Sequence, residues 1–164
     1  CSSDLKQTSQ RSIHVIWCDD VRHEMGNKPS LMGVYTDQLV MPMLPASVHR
    51  LCACVQVATP IDRPFKDLEV RIMRSDTSEP VAVLAIPPDE LEKSHRLVFE
   101  KNTQLQVEDQ IKAMGLTFMV VMGPLELSED TKWLKVVANS GDEWMESFKL
   151  KISCTPSASM HRSA

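Results

Sequence analysis

From residue 12 to residue 154 the chain repeats one pattern. Short apolar runs, several alternating with polar positions at a period of two, are each closed by Gly, Pro, Asn or Asp. Lys66 to Arg74 shows it most cleanly: Leu68, Val70 and Ile72 fall on one face, with Glu69 and Arg71 on the other. That is the signature of a strand with one buried face. Ile13 to Cys18, Ser30 to Val40, Leu51 to Ala58, Pro80 to Ile86, Trp133 to Asn139 and Glu143 to Ser153 read as further strands. Leu116 to Met122 is apolar on both faces, which predicts a strand in the middle of a sheet. In the last segment Trp144, Phe148, Leu150 and Ile152 are expected to share a face. Glu146 breaks that face, so it is placed near the sheet's end or in an ion pair.

The breaks are as informative as the runs. Glu24-Met25-Gly26-Asn27-Lys28-Pro29 is the clearest turn, since Gly and Asn tolerate positive φ and Pro stops a hydrogen-bond ladder. Met41-Pro42-Met43-Leu44-Pro45 interrupts the chain again, Pro87-Pro88 ends a strand, and Ser140-Gly141-Asp142 joins the last two. Asp89 to Lys93 suits one helical turn with its acids at the positive end, Arg96 to Phe99 a short extended piece. Gln104 to Met114 fits a polar edge strand or a short helix. About eight strands at this spacing predict an all-β, antiparallel two-sheet sandwich, with at most one or two short helices. It is immunoglobulin-like by analogy only, because there is no Cys…Trp…Cys pattern between sheets. Residues 1–11 read as a flexible polar arm, 12–154 as a single domain and 155–164 as a flexible tail.

Composition narrows the function classes. The chain has 164 residues, 43% of them hydrophobic and 24% charged, with a net charge of -4. An acid surplus argues against a nucleic-acid partner. No apolar run approaches the roughly 18 residues of a membrane span. Five cysteines, Cys1, Cys18, Cys52, Cys54 and Cys154, are an odd number, which argues against a fully paired disulfide framework. This points to a reduced core and a cytoplasmic setting. Cys1 followed by Ser2, Ser3 and Asp4 also suits a mature periplasmic lipoprotein carrying its lipid on that cysteine, the alternative reading.

Candidate chemistry is sparse. Asp19, Asp20, His23 and Glu24 supply donors that a divalent cation takes. Adjacent residues of a strand face opposite ways, however, and the favoured reading is a structural ion-pair network of Asp19, Asp20, Arg22, Glu24 and Lys28. Cys52 and Cys54 share a strand face, and with Cys18 and His14 they offer the donors of a zinc site; small core residues are the favoured reading. No Gly-x-Ser-x-Gly elbow or phosphate loop is present. No catalytic residue, metal or cofactor is therefore assigned, and the chain is expected not to be an enzyme. Met41, Met43 and Leu44 mark the expected exposed apolar patch, since methionine adapts to binding surfaces.

The stretch from Trp17 to Tyr35 reads Trp-Cys-Asp-Asp-Val-Arg-His-Glu-Met-Gly-Asn-Lys-Pro-Ser-Leu-Met-Gly-Val-Tyr. It resembles the opening of a family of small bacterial proteins known only as a domain of unknown function. The family's opening carries Cys-Asp-Asp, Arg-x-Glu, a Gly-x-Lys turn and Ser-Leu-x-Gly-x-Tyr. The resemblance implies a bacterial or phage source and a cytoplasmic setting, and it carries over no activity. The resulting expectation is a non-enzymatic protein-interaction domain, bound to a protein or a second copy through a sheet edge or the Met/Pro loop. A metal- or ligand-binding accessory protein is the alternative.

Overall fold

The computed structural model describes residues 10–26, 28–104 and 112–155. They form twelve strands and one helix. A long hairpin opens the chain, β1 (Ser12–Glu24) with β2 (Lys28–Tyr35), followed by β3 (Gln38–Met41), β4 (Ala46–Val48), β5 (Leu51–Pro60), β6 (Leu68–Arg74) and β7 (Ala82–Ile86). Helix α1 (Pro88–Thr103) leads to β8 (Ala113–Met122), β9 (Leu125–Leu127), β10 (Trp133–Ser140), β11 (Glu143–Glu146) and β12 (Leu150–Cys154).

One sheet has the order β2-β1-β5-β8; the second has the order β3-β12-β10-β6-β7, with β11 also paired to β10, and β4 and β9 form a small ribbon. The two large sheets enclose one core. Trp17, Leu51, Ala53, Val55 and Val57 come from the first; Val70, Ile72, Leu134, Val136, Ala138, Leu150 and Ile152 come from the second. The all-β sandwich expected from the two-residue rhythm is the fold observed. In β6, Leu68, Val70 and Ile72 are buried while Glu69 and Arg71 face out.

Four local expectations change. Ser30 to Val40 is not one strand: it bends at Thr36-Asp37, so that β2 stays in the first sheet and β3 crosses to the second. There β3 pairs parallel with β12, in register Ile152 with Leu39, the one departure from antiparallel pairing. The closing strand is also split. Ser147 takes both hydrogen-bonding groups of Val136, through its N–H to the carbonyl and its hydroxyl oxygen to the amide, each at 2.9 Å. This bulge reverses the alternation. Met145 before it and Leu150 and Ile152 after it point inward, while Trp144 and Phe148 face solvent, Phe148 at 93% exposure. Glu146 lies on the outer face, paired with Lys135 at 2.9 Å.

The helix is sixteen residues long, not one turn. Proline opens it, Asp89 and Glu90 stand in the first turn and Lys101 in the last, a charge order that suits the helix dipole. Leu91 enters the core, with His95 and Val98 half-buried below it. That i, i+4, i+7 spacing overrides the extended look of Arg96 to Phe99. His95 Nε2 lies 3.0 Å from the Ile61 carbonyl, tying the helix to the loop after β5. Most of Gln104 to Met114 lies outside the described residues.

The fourth change concerns Leu116 to Met122. The strand with a central-strand sequence is an edge. β8 pairs with β5 along its whole length, from Leu51 with Met122 to Pro60 with Ala113, and among the described residues no strand follows it. The true centre is β5, buried on both faces.

Candidate interaction surface

The opening hairpin carries most of the residues singled out in the sequence, and it separates them. Asp20 lies on the outer face of the first sheet, 2.9 Å from Arg50 and 4.0 Å from Arg22. Asp19 lies on the opposite face, where its carboxylate accepts the Tyr35 hydroxyl. His23, Glu24 and Lys28 are exposed near the turn. Glu24 and Lys28 are register partners, but no ion pair joins them among the described residues. The network is thus Asp20 with Arg22 and Arg50; Asp19, Glu24 and Lys28 lie outside it. Among the described residues no three His, Cys, Asp or Glu side chains converge on a point where a metal ion would sit. Arg50 comes from a distant strand start, and no local signal in the sequence marks it.

Asp19, Gly33 and Tyr35 form a unit instead. Gly33 has φ +65°, and a Cβ there would lie 2.0 Å from Asp19 Oδ2. The glycine leaves room for the carboxylate to fold over the neighbouring strand, and the tyrosine holds it there. Burial first, then the Asp19 hydrogen bond and charge, raise the Tyr35 phenol well above its ordinary value, so it stays a donor. The Asp, Gly and Tyr of the opening motif therefore have a structural account.

Cys18, Cys52 and Cys54 line the outer face of the first sheet and are buried there. Cys18 and Cys52 are register partners, while His14 is opposite Gln56, farther along β1. Burial, then the neighbouring thiols of Cys52 and Cys54, then Asp19 and Asp20, push the Cys18 thiol up to about 11; burial also raises Cys54. A thiol held protonated is a poor ligand and a poor nucleophile at neutral pH. Native-state labelling with a thiol reagent at neutral pH, read by peptide mass mapping, is expected to modify exposed Cys154. Cys18, Cys52 and Cys54 are expected to react only after denaturant is added.

The Met/Pro loop is less open than its composition predicts. Met43 is 68% exposed, but Met41 and Leu44 pack against the core. The expected patch reduces to one side chain.

At one end of the sandwich the loop after β5 and the β10–β11 turn frame an open groove of about 400 Å³, lined by Arg11, Arg63, Lys66, Asp67 and Gly141. Arg11, expected in the flexible arm, is 9% exposed in its side chain. It donates to Thr59 Oγ1, to Glu143 and to the Arg63 and Pro64 carbonyls, and stacks over Phe65 at 4.7 Å. These contacts tie Arg11 to the loop after β5 and to the start of β11. Arg63 shares Glu143 at 3.2 Å, and Asp67 accepts the Gly141 amide at 2.7 Å. Arg11, Arg63 and Asp67 thus hold the groove's own loops together.

The edge of β8 is unpaired on its outer side among the described residues. Its ten residues, Ala-Met-Gly-Leu-Thr-Phe-Met-Val-Val-Met, contain no charge and no proline. Among the described residues its backbone bonds to β5 alone. Alternate N–H and C=O groups of an antiparallel edge point away from its one partner. Among the described residues the other free edges of the two large sheets are blunted in the usual ways. β2 begins Lys28-Pro29 and is kinked at Gly33; β3 has four residues; β7 has five and runs into Pro87-Pro88; β11 carries Glu143 and Glu146. Beside the edge, Val121 is 54% exposed on the outer face, and Leu116, Phe118 and Val120 are only partly buried on the inner one.

Among the described residues these features define an all-β sandwich with one helix and one long unblunted sheet edge, and no helix there is long and apolar enough to cross a membrane. The chain belongs to a family of unknown function (DUF6941), whose model matches residues 14–153, from β1 to β12. No curated protein and no solved structure matches it.

Proposed function

We propose that the protein is a non-enzymatic interaction domain that accepts an extended strand along β8. The observation that carries this reading is a ten-residue sheet edge with neither charge nor proline, where the other edges of the two large sheets are blunted among the described residues. Unpaired main-chain groups on such an edge are satisfied best by another strand, and strand addition is a common mode of peptide recognition. The reading is also supported by the state of the densest polar clusters. Asp20 is tied to Arg22 and Arg50, Asp19 to Tyr35, and Arg11 and Arg63 to Glu143, all contacts that hold strands and loops in place.

The test is a titration of isotope-labelled protein with a synthetic peptide of alternating Val and Thr, closed by lysines for solubility. Amide shifts are expected to move along β8 and β5 and to stay fixed along β7 and β3. Shifts confined to another surface, or none at saturating peptide, would sink the reading.

A further inference from the structure

The strand that β8 accepts can be identified further, on the basis of the reading above. We propose that its occupant is a second copy of this chain, with the two β8 strands antiparallel across a two-fold axis, so that two four-stranded sheets become one of eight.

Three observations lead there. The first is charge. The chain carries a net charge of -4, so two copies carry like net charge and repel weakly at long range. β8 is a ten-residue neutral strip, and antiparallel pairing with itself sets no like charges opposite each other. The second is parity. A two-fold axis passing through one residue pairs even positions with even and odd with odd. With the axis at Thr117, Leu116 faces Phe118 of the other copy on the inner face, with Val120 farther along it, and Thr117 faces its own counterpart on the outer seam, flanked by Met119 and Val121. All five apolar residues are left partly uncovered in the single chain; the pairing covers both rims at once. The third is selectivity. Closed two-fold pairing needs one self-complementary patch, and β8 is the one long edge left unblunted among the described residues.

The experiment is sedimentation of the full chain from micromolar to millimolar concentration. The expected mass is twice 18.5 kDa, falling to the single value on dilution. Thr117 is exposed on the outer face near the axis, so Thr117→Lys brings two ammonium groups close together without entering the core. It is expected to weaken association about tenfold or more, since like charges facing across strands oppose pairing, with the circular dichroism spectrum and melting temperature of the monomer unchanged. Thr117→Glu is expected to do the same with the opposite sign of charge, which separates repulsion from a local folding defect. A mass of 18.5 kDa at every concentration, or a dimer indifferent to both substitutions, overturns the proposal. The Val/Thr peptide distinguishes the two failures: a monomer that still binds it along β8 keeps the strand-accepting reading, and a monomer that does not loses both.

Discussion

Replacing Gly33 with alanine is expected to lower stability by about 3 kcal/mol or more, summing the cost of an L-residue in the left-handed region and a steric overlap. The reason is twofold. At φ +65° any side chain is strained, and the new Cβ would sit 2.0 Å from Asp19 Oδ2, inside a carboxylate that Tyr35 already holds. For a chain of this size such a loss lowers the melting temperature by roughly 6–12 °C. Asp19→Ala in the same background removes the two closest overlaps but leaves the Cβ of residue 19 at 3.0 Å and the backbone strain, so the double variant is expected to recover only part of the loss. The two changes couple because they meet in space. Thermal melts of the four proteins in that cycle check it, and a Gly33→Ala variant as stable as the parent would show that the hairpin does not depend on this close approach.

Asp76 carries the second large effect. Its side chain is 8% exposed, and its carboxylate takes the hydroxyls of Ser128 at 2.6 Å and Thr131 at 2.8 Å and the Arg74 guanidinium at 2.7 Å. The Arg74 contact is charge against charge at poor hydrogen-bond angles, which leaves Arg74 Nε and Asp76 Oδ1 without a well-formed hydrogen bond. Burial pushes the carboxyl up; hydrogen bonds from Ser128, Thr131 and its own backbone, together with the Arg74 charge, outweigh it and hold the group below its ordinary value of 3.8. Asp76→Asn is expected to cost about 2–3 kcal/mol at neutral pH, less than the 3–5 kcal/mol of a fully buried pair because Arg74 is partly exposed. The pH dependence follows from the direction of the shift. A carboxyl more acidic in the folded state stabilises the fold at pH above the unfolded value and ceases to as pH falls through the lower folded value. The parent's advantage over Asp76→Asn should therefore be full above about pH 5 and shrink progressively below it. Melting temperatures of both proteins across acid and neutral pH test this, and a gap that closed near neutrality would contradict it.

The class of fold was legible because it rests on periodicity, a local property. Leu68, Val70 and Ile72 alternate with Glu69 and Arg71, and that pattern alone decides which face is buried. The helix was underestimated because its buried face shows only through Leu91, His95 and Val98, scattered among exposed Leu97 and Phe99. The closing strand was misread because one hydroxyl, that of Ser147, reverses its alternation, and a bulge leaves little trace in composition. The candidate site was least legible. Asp20 finds Arg50 and Asp76 finds Ser128 and Thr131 across long stretches of sequence, and no spacing rule connects them.

What the amino-acid order determined by itself was a two-sheet β fold with its strands, their breaks and most of their inward faces, because these follow from a two-residue repeat and from residues that end a ladder. Only the tertiary structure decided which strand stands where. Nothing in Ala113 to Met122 reveals whether one neighbour or two will hydrogen-bond it, since an apolar strand reads alike in the middle of a sheet and at its rim. That placement is set by how the whole chain crosses between the sheets, and it leaves the outer side of β8 unpaired among the described residues.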